Sequence, residues 1–565
     1  MNANKPLQDN RPTFATDCLS FVSLGGSGEF GCNLNVYHCD GKLLIVDCGI
    51  GFPDERFPGV EILLPDPSFL REMQSDIVGM VLTHAHDDHK AAIAPLWPQL
   101  LCPIYATPFV ADTLRYQLEQ WNLLKRVSIK EVALGQQLQL GPFTVDLIDT
   151  AHSVMESSML MIKTKYGQAL HTGDWRIDES PMEGRVTDAA KLQRLAQEPV
   201  LAIVGDSTNS TVEGYHPSER ALIDPLADVF ANSSGRVVVT TFSHSVPRMH
   251  SVMLAARKSG RKVGMTGRSM LRIQEIARKH GYLQDLPAFI SDRDIRECPR
   301  DKLVLLATGS QGEPGSAISR LASDSHQLLS LEKGDTVIFS AREIPGNEKT
   351  IEHVQNAFLR RGIRTIVPEN EFVHASGHAY ADEIRQLISW VKPTAIIPVH
   401  GNEAAQVAHR DLAEACGVKN VMIPHNGDII ALRPNGPERT GQVMAGLMAV
   451  DGTRVVPMRD SLLLKDRHRT ANEGSIVVTV VTDDEGYLLH DPVFTISGLA
   501  ADETELVELE DALFTDVEQA ALRADPSERR DAEMLKEIIR LAIRRRIKQE
   551  LGKRPLLSVH IVQVG

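Results

Sequence analysis

The chain alternates short apolar runs with polar breaks, and each run predicts a strand by its length and β-branched content. The first, Phe21-Val22-Ser23-Leu24, enters a glycine-rich turn at Gly25-Gly26-Ser27-Gly28. Asn33–His38 and Lys42–Val46 predict a hairpin about Asp40-Gly41. Runs at Ile77–Leu82, Val145–Ile148, Gln168–Thr172, Leu201–Val204 and Ala395–Val399 read as further buried strands. From about Tyr215 the pattern changes. Strands at Arg236–Thr241, Lys262–Thr266, Leu303–Ala307 and Thr336–Phe339 alternate with helical stretches such as Ala317–Leu328 and Asn347–Arg361, which predicts a parallel sheet covered by helices. The last hundred or so residues open on a strand at Ile476–Val481 and close on one at Leu556–Val562. Between them Leu535, Ile538, Ile539, Ala542, Ile543 and Ile547 share one helix face, with Arg540, Arg544 and Lys548 on a face that reads as solvated.

Ligand-type side chains stand where these runs end. Ile77–Leu82 is followed by Thr83-His84-Ala85-His86-Asp87-Asp88-His89. His84 and His86 are two apart, so in an extended segment they face one side and can share an ion. Asp88 and His89 fall where the chain turns into a helix and point at a second ion. Imidazoles and a carboxylate crowded past a strand end suit a borderline-soft divalent metal, zinc above all. The competing reading, a polar loop with chance histidines, fits poorly with four such residues in six positions. Later strands end in His152, Gly173-Asp174, Asp206 and His400. Singly, each is more often a satisfied polar residue than a ligand. Arriving in order at strand ends, they support one another.

At 565 residues the chain exceeds a single core. Its 42% apolar and 24% charged content is that of an ordinary globular protein. No apolar run approaches a membrane span of roughly 20 residues, and the polar stretch from Met1 to Asp17 lacks a secretory signal. Seven cysteines with no Cys-x-x-Cys pair read as reduced thiols, so a cytoplasmic location is expected. A net charge of −14 argues against a non-specific polyanion binder but leaves room for a local basic groove. The run Arg257 to Arg272 is one candidate for such a groove, and a solvated surface explains most of it equally well.

His-x-His-x-Asp-His after a strand resembles the metallo-β-lactamase superfamily. An interrupting strand–helix segment, Val204-Gly205-Asp206-Ser207-Thr208, Ser376-Gly377-His378 and Pro398-Val399-His400-Gly401 are similar to its β-CASP branch. Leu24–Glu29, His171-Thr172-Gly173-Asp174, Thr308–Pro314 and Ile344–Glu348 narrow the resemblance to the ribonuclease J family along nearly the whole chain. The resemblance implies an α/β protein: a metallo-β-lactamase αβ/βα sandwich over 15–214 and 363–453, an inserted β-CASP domain over 215–362, a linker over 454–473 and a small C-terminal α/β oligomerisation domain over 474–565. It implies two zinc ions, one held by His84, His86 and His152, the other by Asp88, His89 and His400, with Asp174 bridging and Asp47 bracing the metal loop. Manganese and magnesium are the alternative ions. His378 is the candidate proton donor to the leaving oxygen, oriented by Asp206; Asp206 as a helix N-cap after its strand is the rival reading. His374, Ser376, Gly377 and His378 would grip a terminal 5′-phosphate, with Ser243 and Arg268 lining the same channel.

The implied activity is hydrolysis of RNA to 5′-phosphate products, 5′-to-3′ and with endonucleolytic action besides, in mRNA decay and rRNA maturation. The implied partners are single-stranded 5′-monophosphorylated RNA and further copies of the chain, as homodimer or homotetramer, with no membrane. A DNA-processing enzyme of the same branch and a small-molecule metallo-hydrolase remain the alternatives. Three segments depart from the family pattern. Lys90-Ala91-Ala92 replaces an apolar residue and small ones after the metal motif, and Lys90 is expected to project outward from its helix. Thr241–Ser245 and Ser340–Glu343 depart in the presumed RNA channel.

Overall fold

The computed structural model describes residues 13–54, 56–459 and 461–564; most of the polar N-terminal stretch lies outside them. The chain forms two compact units, one comprising Met1–Phe52 and Glu61–Val456, the other Pro53–Val60 and Pro457–Gly565.

In the first unit two large sheets stack face to face. One has eight strands in the order Gly436–Gln442, Asp428–Arg433, Leu19–Gly25, Leu34–Cys39, Lys42–Val46, Ile77–Val81, Ile104–Ala106, Ile129–Glu131. The other has seven, ordered Asn420–Val421, Ala395–Val399, Val200–Asp206, Gly167–His171, Ser158–Thr164, Phe143–Asp149, Gln137–Leu140. Phe21, Tyr37 and Leu44 from the first meet Val145, Leu160 and Ala202 from the second in one dry core. Helices Ala381–Val391 and Glu403–Ala415 cover the outer face of the second sheet through Ile384, Leu387 and Leu412. This is the sandwich expected.

The segment between Val200–Asp206 and Ala395–Val399 carries its own sheet of five parallel strands, ordered Lys262–Thr266, Leu303–Ala307, Val237–Thr240, Thr336–Phe339, Arg364–Ile366. Its central strand, Val237-Val238-Val239-Thr240, is buried throughout, as a strand covered on both faces must be. The predicted helix Ala317–Leu328 ends early, at Ala322. Ser323 turns its hydroxyl back onto the Ser319 carbonyl (3.0 Å) and Asp324 adopts a left-handed φ of 57°, a local alternative to helix that short polar side chains favour.

Parallel pairing puts several functional strand ends side by side. Ala395–Val399, Val200–Asp206 and Gly167–His171 are neighbours, with Asp206 level with Val399 and Val204 level with His171. His400, Asp206 and Asp174 therefore leave the sheet from adjacent strands in one direction. In the facing sheet Val46 is level with Val81, so Asp47 and Thr83 emerge together.

The second unit has a three-stranded sheet, Val493–Ser497, Ser475–Thr482 and Leu556–Gln563, covered on one face by helices Glu503–Arg523 and Ala532–Glu550. Leu535, Ile539, Ile543 and Ile547 are the buried stripe. Arg540 pairs with Glu537 on its own helix, as a solvated face does. The span 454–473 carries a strand, Arg454–Pro457, and a helix, Leu462–Glu473, capped by Ser461. No described helix is long and apolar enough to cross a membrane.

Candidate metal centre

Three imidazoles meet first. His84 Nε2 lies 3.1 Å and His152 Nε2 3.0 Å from His86 Nδ1. The remaining nitrogens fix the tautomers. Thr83 Oγ1 donates to Asp47 Oδ2 (2.7 Å), so it accepts from His84 Nδ1 (3.0 Å); His152 Nδ1 donates to the Gly377 carbonyl (2.6 Å). Both Nε2 atoms thus present lone pairs to a third ring nitrogen. Burial lowers His84 and His152 well below the ordinary imidazole range, with help from neighbouring rings, and brings His86 to about 4. Neutral imidazoles whose nitrogens converge in this way are a donor set for a cation.

The second group is Asp88, His89, Asp174 and His400. Asp88 Oδ2 is 3.1 Å from His400 Nε2, and Asp174 Oδ1 is 3.3 Å from His89 Nε2. Asp47 Oδ2 accepts from His89 Nδ1 at 2.7 Å. Asp47 and His400 both hold left-handed φ angles, 62° and 49°, without being glycine. Such backbone persists only where surrounding contacts determine it, and it clusters at functional sites. Burial pushes His89 and His400 down. The carboxylates around them overcome it, bringing His89 to about 10 and His400 well above its usual range. That excess of negative potential is what bound cations neutralise.

Asp174 joins the two groups. Its Oδ2 lies 3.5 Å from His84 Nε2 and 3.7 Å from His152 Nε2, while its buried Oδ1 has His89 Nε2 at 3.3 Å and no well-formed hydrogen bond among the described residues. A buried carboxylate oxygen without a well-formed hydrogen bond is costly, and bound divalent cations would offset that cost. The residues present fit a pair of such ions.

Beside this centre, His378 Nδ1 donates to Asp206 Oδ2 at 2.8 Å, and its side chain is 21% exposed. Asp206 Oδ1 meanwhile accepts from the Thr208 amide (2.9 Å) and hydroxyl (2.6 Å). The two readings of Asp206 divide between its two oxygens: one caps a turn, with no helix following, and the other holds the imidazole. Burial opposes the imidazolium of His378, but Asp206 and then Asp174 raise its pKa.

Among the predicted substrate contacts, His374, Ser376, Gly377 and His378 share one loop, and Ser243 Oγ lies 3.3 Å from His244 Nδ1. His244 approaches the cluster, its ring 6.2 Å from that of His86. Arg268 is exposed, and among the described residues no hydrogen bond or ion pair joins it to the site. In the basic run, Arg261 is buried and donates to the Gly235 carbonyl (2.8 Å), while Lys258 pairs with Asp224, so both serve the scaffold.

Lys90 corrects an expectation. It does not project into solvent: its side chain is 3% exposed and its ammonium meets Asp87 Oδ1 at 2.7 Å. The pairing on the adjacent turn neutralises the charge locally. Lys90→Ile is therefore expected to leave metal content unchanged and to shift stability by no more than about 1 kcal/mol, because Asp87 is half exposed and stays hydrated. Metal analysis and thermal melting of the two proteins check this; a marked rise in bound metal in the variant would show that Lys90 repels the ions.

Several residues at the site were given no role by the sequence. Asn33 Nδ2 donates to the Asp88 carbonyl (3.0 Å) and lies 3.1 Å from His89 Nε2. Thr208 Oγ1 meets His400 Nδ1 at 2.9 Å, which turns His400 Nε2 toward Asp88. Asn209 Nδ2 donates to Ser376 Oγ (2.8 Å) and takes the Arg342 guanidinium on its own carbonyl.

Comparison with known proteins agrees with this geometry. Residues 27–229 match the metallo-β-lactamase superfamily, 234–358 the ribonuclease J β-CASP domain, 364–424 the Zn-dependent metallo-hydrolase RNA specificity domain and 462–564 the ribonuclease J C-terminal domain. The chain is 37% identical over 550 residues to ribonuclease J of Sinorhizobium meliloti, covering 97% of each. It is 33% identical to ribonuclease J of Thermus thermophilus, over 97% of this chain and 96% of that one. With ribonuclease J2 of Bacillus subtilis it shares 30% identity over 83% of this chain and 85% of the relative. A crystal structure of a protein of unknown function from Enterococcus faecalis V583 has the same fold over 74% of this chain and all of its own, at a TM-score of 0.51 and 14% identity. With its metal-binding groups converging as they do, the chain belongs to the ribonuclease J family of metal-dependent ribonucleases.

Proposed function

We propose that the chain binds two zinc ions and hydrolyses single-stranded RNA to 5′-phosphate products, 5′-to-3′ from a monophosphorylated end and with endonucleolytic cuts besides, in mRNA decay and rRNA maturation. The observation that carries this reading is the meeting of two ligand groups on one bridging carboxylate beside the His378–Asp206 pair. The nitrogen-rich first group favours zinc over manganese or magnesium, which prefer oxygen ligands.

When bound, divalent cations here supply Lewis acidity to a phosphodiester and bring the pKa of a water toward about 7. The protein does the rest. Asp88, whose side chain is 25% exposed, is with His86 one of the two ligands partly open to solvent, on the side where a phosphate arrives. His378, held by Asp206, gives its proton to the leaving 3′ oxygen. The loop from His374 to His378 receives the terminal phosphate on the Ser376 hydroxyl and backbone N–H groups. The buried ligands exclude bulk water around the rest of the centre. The boundaries 15–214, 215–362, 363–453 and 474–565, assembly as dimer or tetramer through the last of these, and a cytoplasmic location complete the proposal.

The test is mononucleotide release from 5′-monophosphorylated RNA, with and without a chelator. Matched 5′-triphosphorylated RNA and DNA of the same sequence are run beside it. Release is expected from the monophosphorylated RNA, abolished by chelation, restored by zinc and slower from the triphosphate. Activity untouched by the chelator, or faster on DNA, would overturn the reading.

A further inference from the structure

The loop from His374 to His378 is gripped by its carbonyls. Arg248 donates to the Ala375 carbonyl (3.1 Å), Arg176 to that of Ser376 (2.6 Å), His152 Nδ1 to that of Gly377 (2.6 Å) and Asn209 to that of His378 (3.2 Å). Four consecutive peptide planes are thus set by side chains from outside the loop. The third of them fixes a metal ligand's tautomer. Gly377 also packs so closely that a Cβ there would stand 2.7 Å from His152 Cε1, so the ring and the loop move together.

Arg248 differs from the other three in origin. It lies on helix Val246–Lys258 of the inserted segment, is 2% exposed, and uses every N–H it has. Nε and Nη2 reach Glu219 (2.6 and 3.1 Å), Nη1 reaches the Ser340 carbonyl and hydroxyl (both 2.6 Å), and Nη2 reaches Ala375. Ser340 in turn donates to the Val373 carbonyl (2.6 Å). Nη1 also stands 3.3 Å from His374 Nδ1. Burial, reinforced by Arg248, holds His374 well below the ordinary imidazole range.

We propose that Arg248 is a positioning residue that couples the inserted segment to the metal centre: by holding Glu219, Ser340 and Ala375 on one planar fork, it sets the loop whose Gly377 carbonyl orients His152 and whose His378 faces Asp206. A lysine cannot replace it, because three donors on a single nitrogen cannot span carboxylate and carbonyls in one plane. The inference rests on His152 being a metal ligand, and its test is arranged to read metal affinity apart from RNA cleavage.

Arg248→Lys and Arg248→Met are made in the full chain. Zinc affinity is measured by competition with a chelating dye, kcat and KM on 5′-monophosphorylated RNA, and folding by thermal melting. Arg248→Lys keeps the charge against Glu219, so it carries the test should the methionine variant fail to fold. In Arg248→Lys, affinity for one of the zinc ions is expected to fall by about 10–100-fold, as when an outer hydrogen bond to a ligand is lost, with kcat lowered in step. Destabilisation alone would lower the melting temperature and leave the zinc affinity of the folded protein untouched. Wild-type zinc affinity in folded Arg248→Lys would overturn the proposal, whatever its activity. Zinc binding without RNA cleavage in the unaltered protein would instead overturn the proposed function and leave the positioning role to be read from affinity.

Discussion

Exchanging Asp174 for asparagine is expected to reduce RNA cleavage by at least about 10³-fold, since it removes the carboxylate common to both candidate ligand groups. The side chain is buried and lies between the groups, with one oxygen toward His84 and His152 and the other toward His89 and His400. Asparagine is isosteric but neutral, and it offers one acceptor where two are needed. Its amide N–H₂ must face one group and present protons to lone pairs that already point inward. Zinc content is therefore expected to drop from two ions per chain to one or fewer. The fold should survive. His89 and His400 lose the carboxylate that opposes the effect of burial on their pKa, so they become easier to keep neutral in the metal-free protein. Metal analysis, turnover on 5′-monophosphorylated RNA and melting of the chelated protein make up the measurement. Two zinc ions with wild-type turnover in the variant would remove Asp174 from the centre.

The ligands were legible in the sequence because their residue types are uncommon at strand ends and their chemistry is narrow. His84, His86, Asp88 and His89 announce themselves in one motif, and His152, Asp174 and His400 each follow an apolar run that forms a strand: Phe143–Asp149, Gly167–His171 and Ala395–Val399. Lys262–Thr266, Leu303–Ala307 and Thr336–Phe339 form as the pattern predicts. Edge strands such as Ile129–Glu131 and Gln137–Leu140 were not legible, because strands at a sheet margin carry charged and polar residues that blur the apolar signal. Asp47 aside, the residues that orient the candidate ligands had no role legible in the sequence. Arg248 acts on a carbonyl 127 positions away, and Thr208 on a histidine 192 positions away. No local pattern encodes a partner at that distance. Lys90 shows the converse: its position in the motif suggested solvent, and only its neighbour Asp87 explains how an ammonium stays buried there.

Replacing His378 with alanine is expected to lower kcat by about 10²–10⁴-fold, the usual contribution of a positioned general acid, while zinc content stays that of the unaltered protein. The sign of the pH dependence follows from the pair. The imidazolium is the form that donates, so the rate falls as pH rises through its pKa. Burial pushes that pKa down; Asp206, 2.8 Å from Nδ1, pushes it up and prevails. Asp206→Asn therefore moves the alkaline limb of the kcat profile to lower pH, and His378→Ala abolishes it. Asp206 Oδ1 also stands 3.3 Å from His400 Nδ1, so zinc content is measured for both variants to separate loss of metal from loss of the acid. A phosphodiester with a weakly basic phenolate leaving group needs no proton, and His378→Ala should hydrolyse it at close to the unaltered rate. Should the alanine variant be equally slow on both substrates with its zinc intact, the proton reaches the leaving oxygen from another group and His378 serves the substrate in some other way.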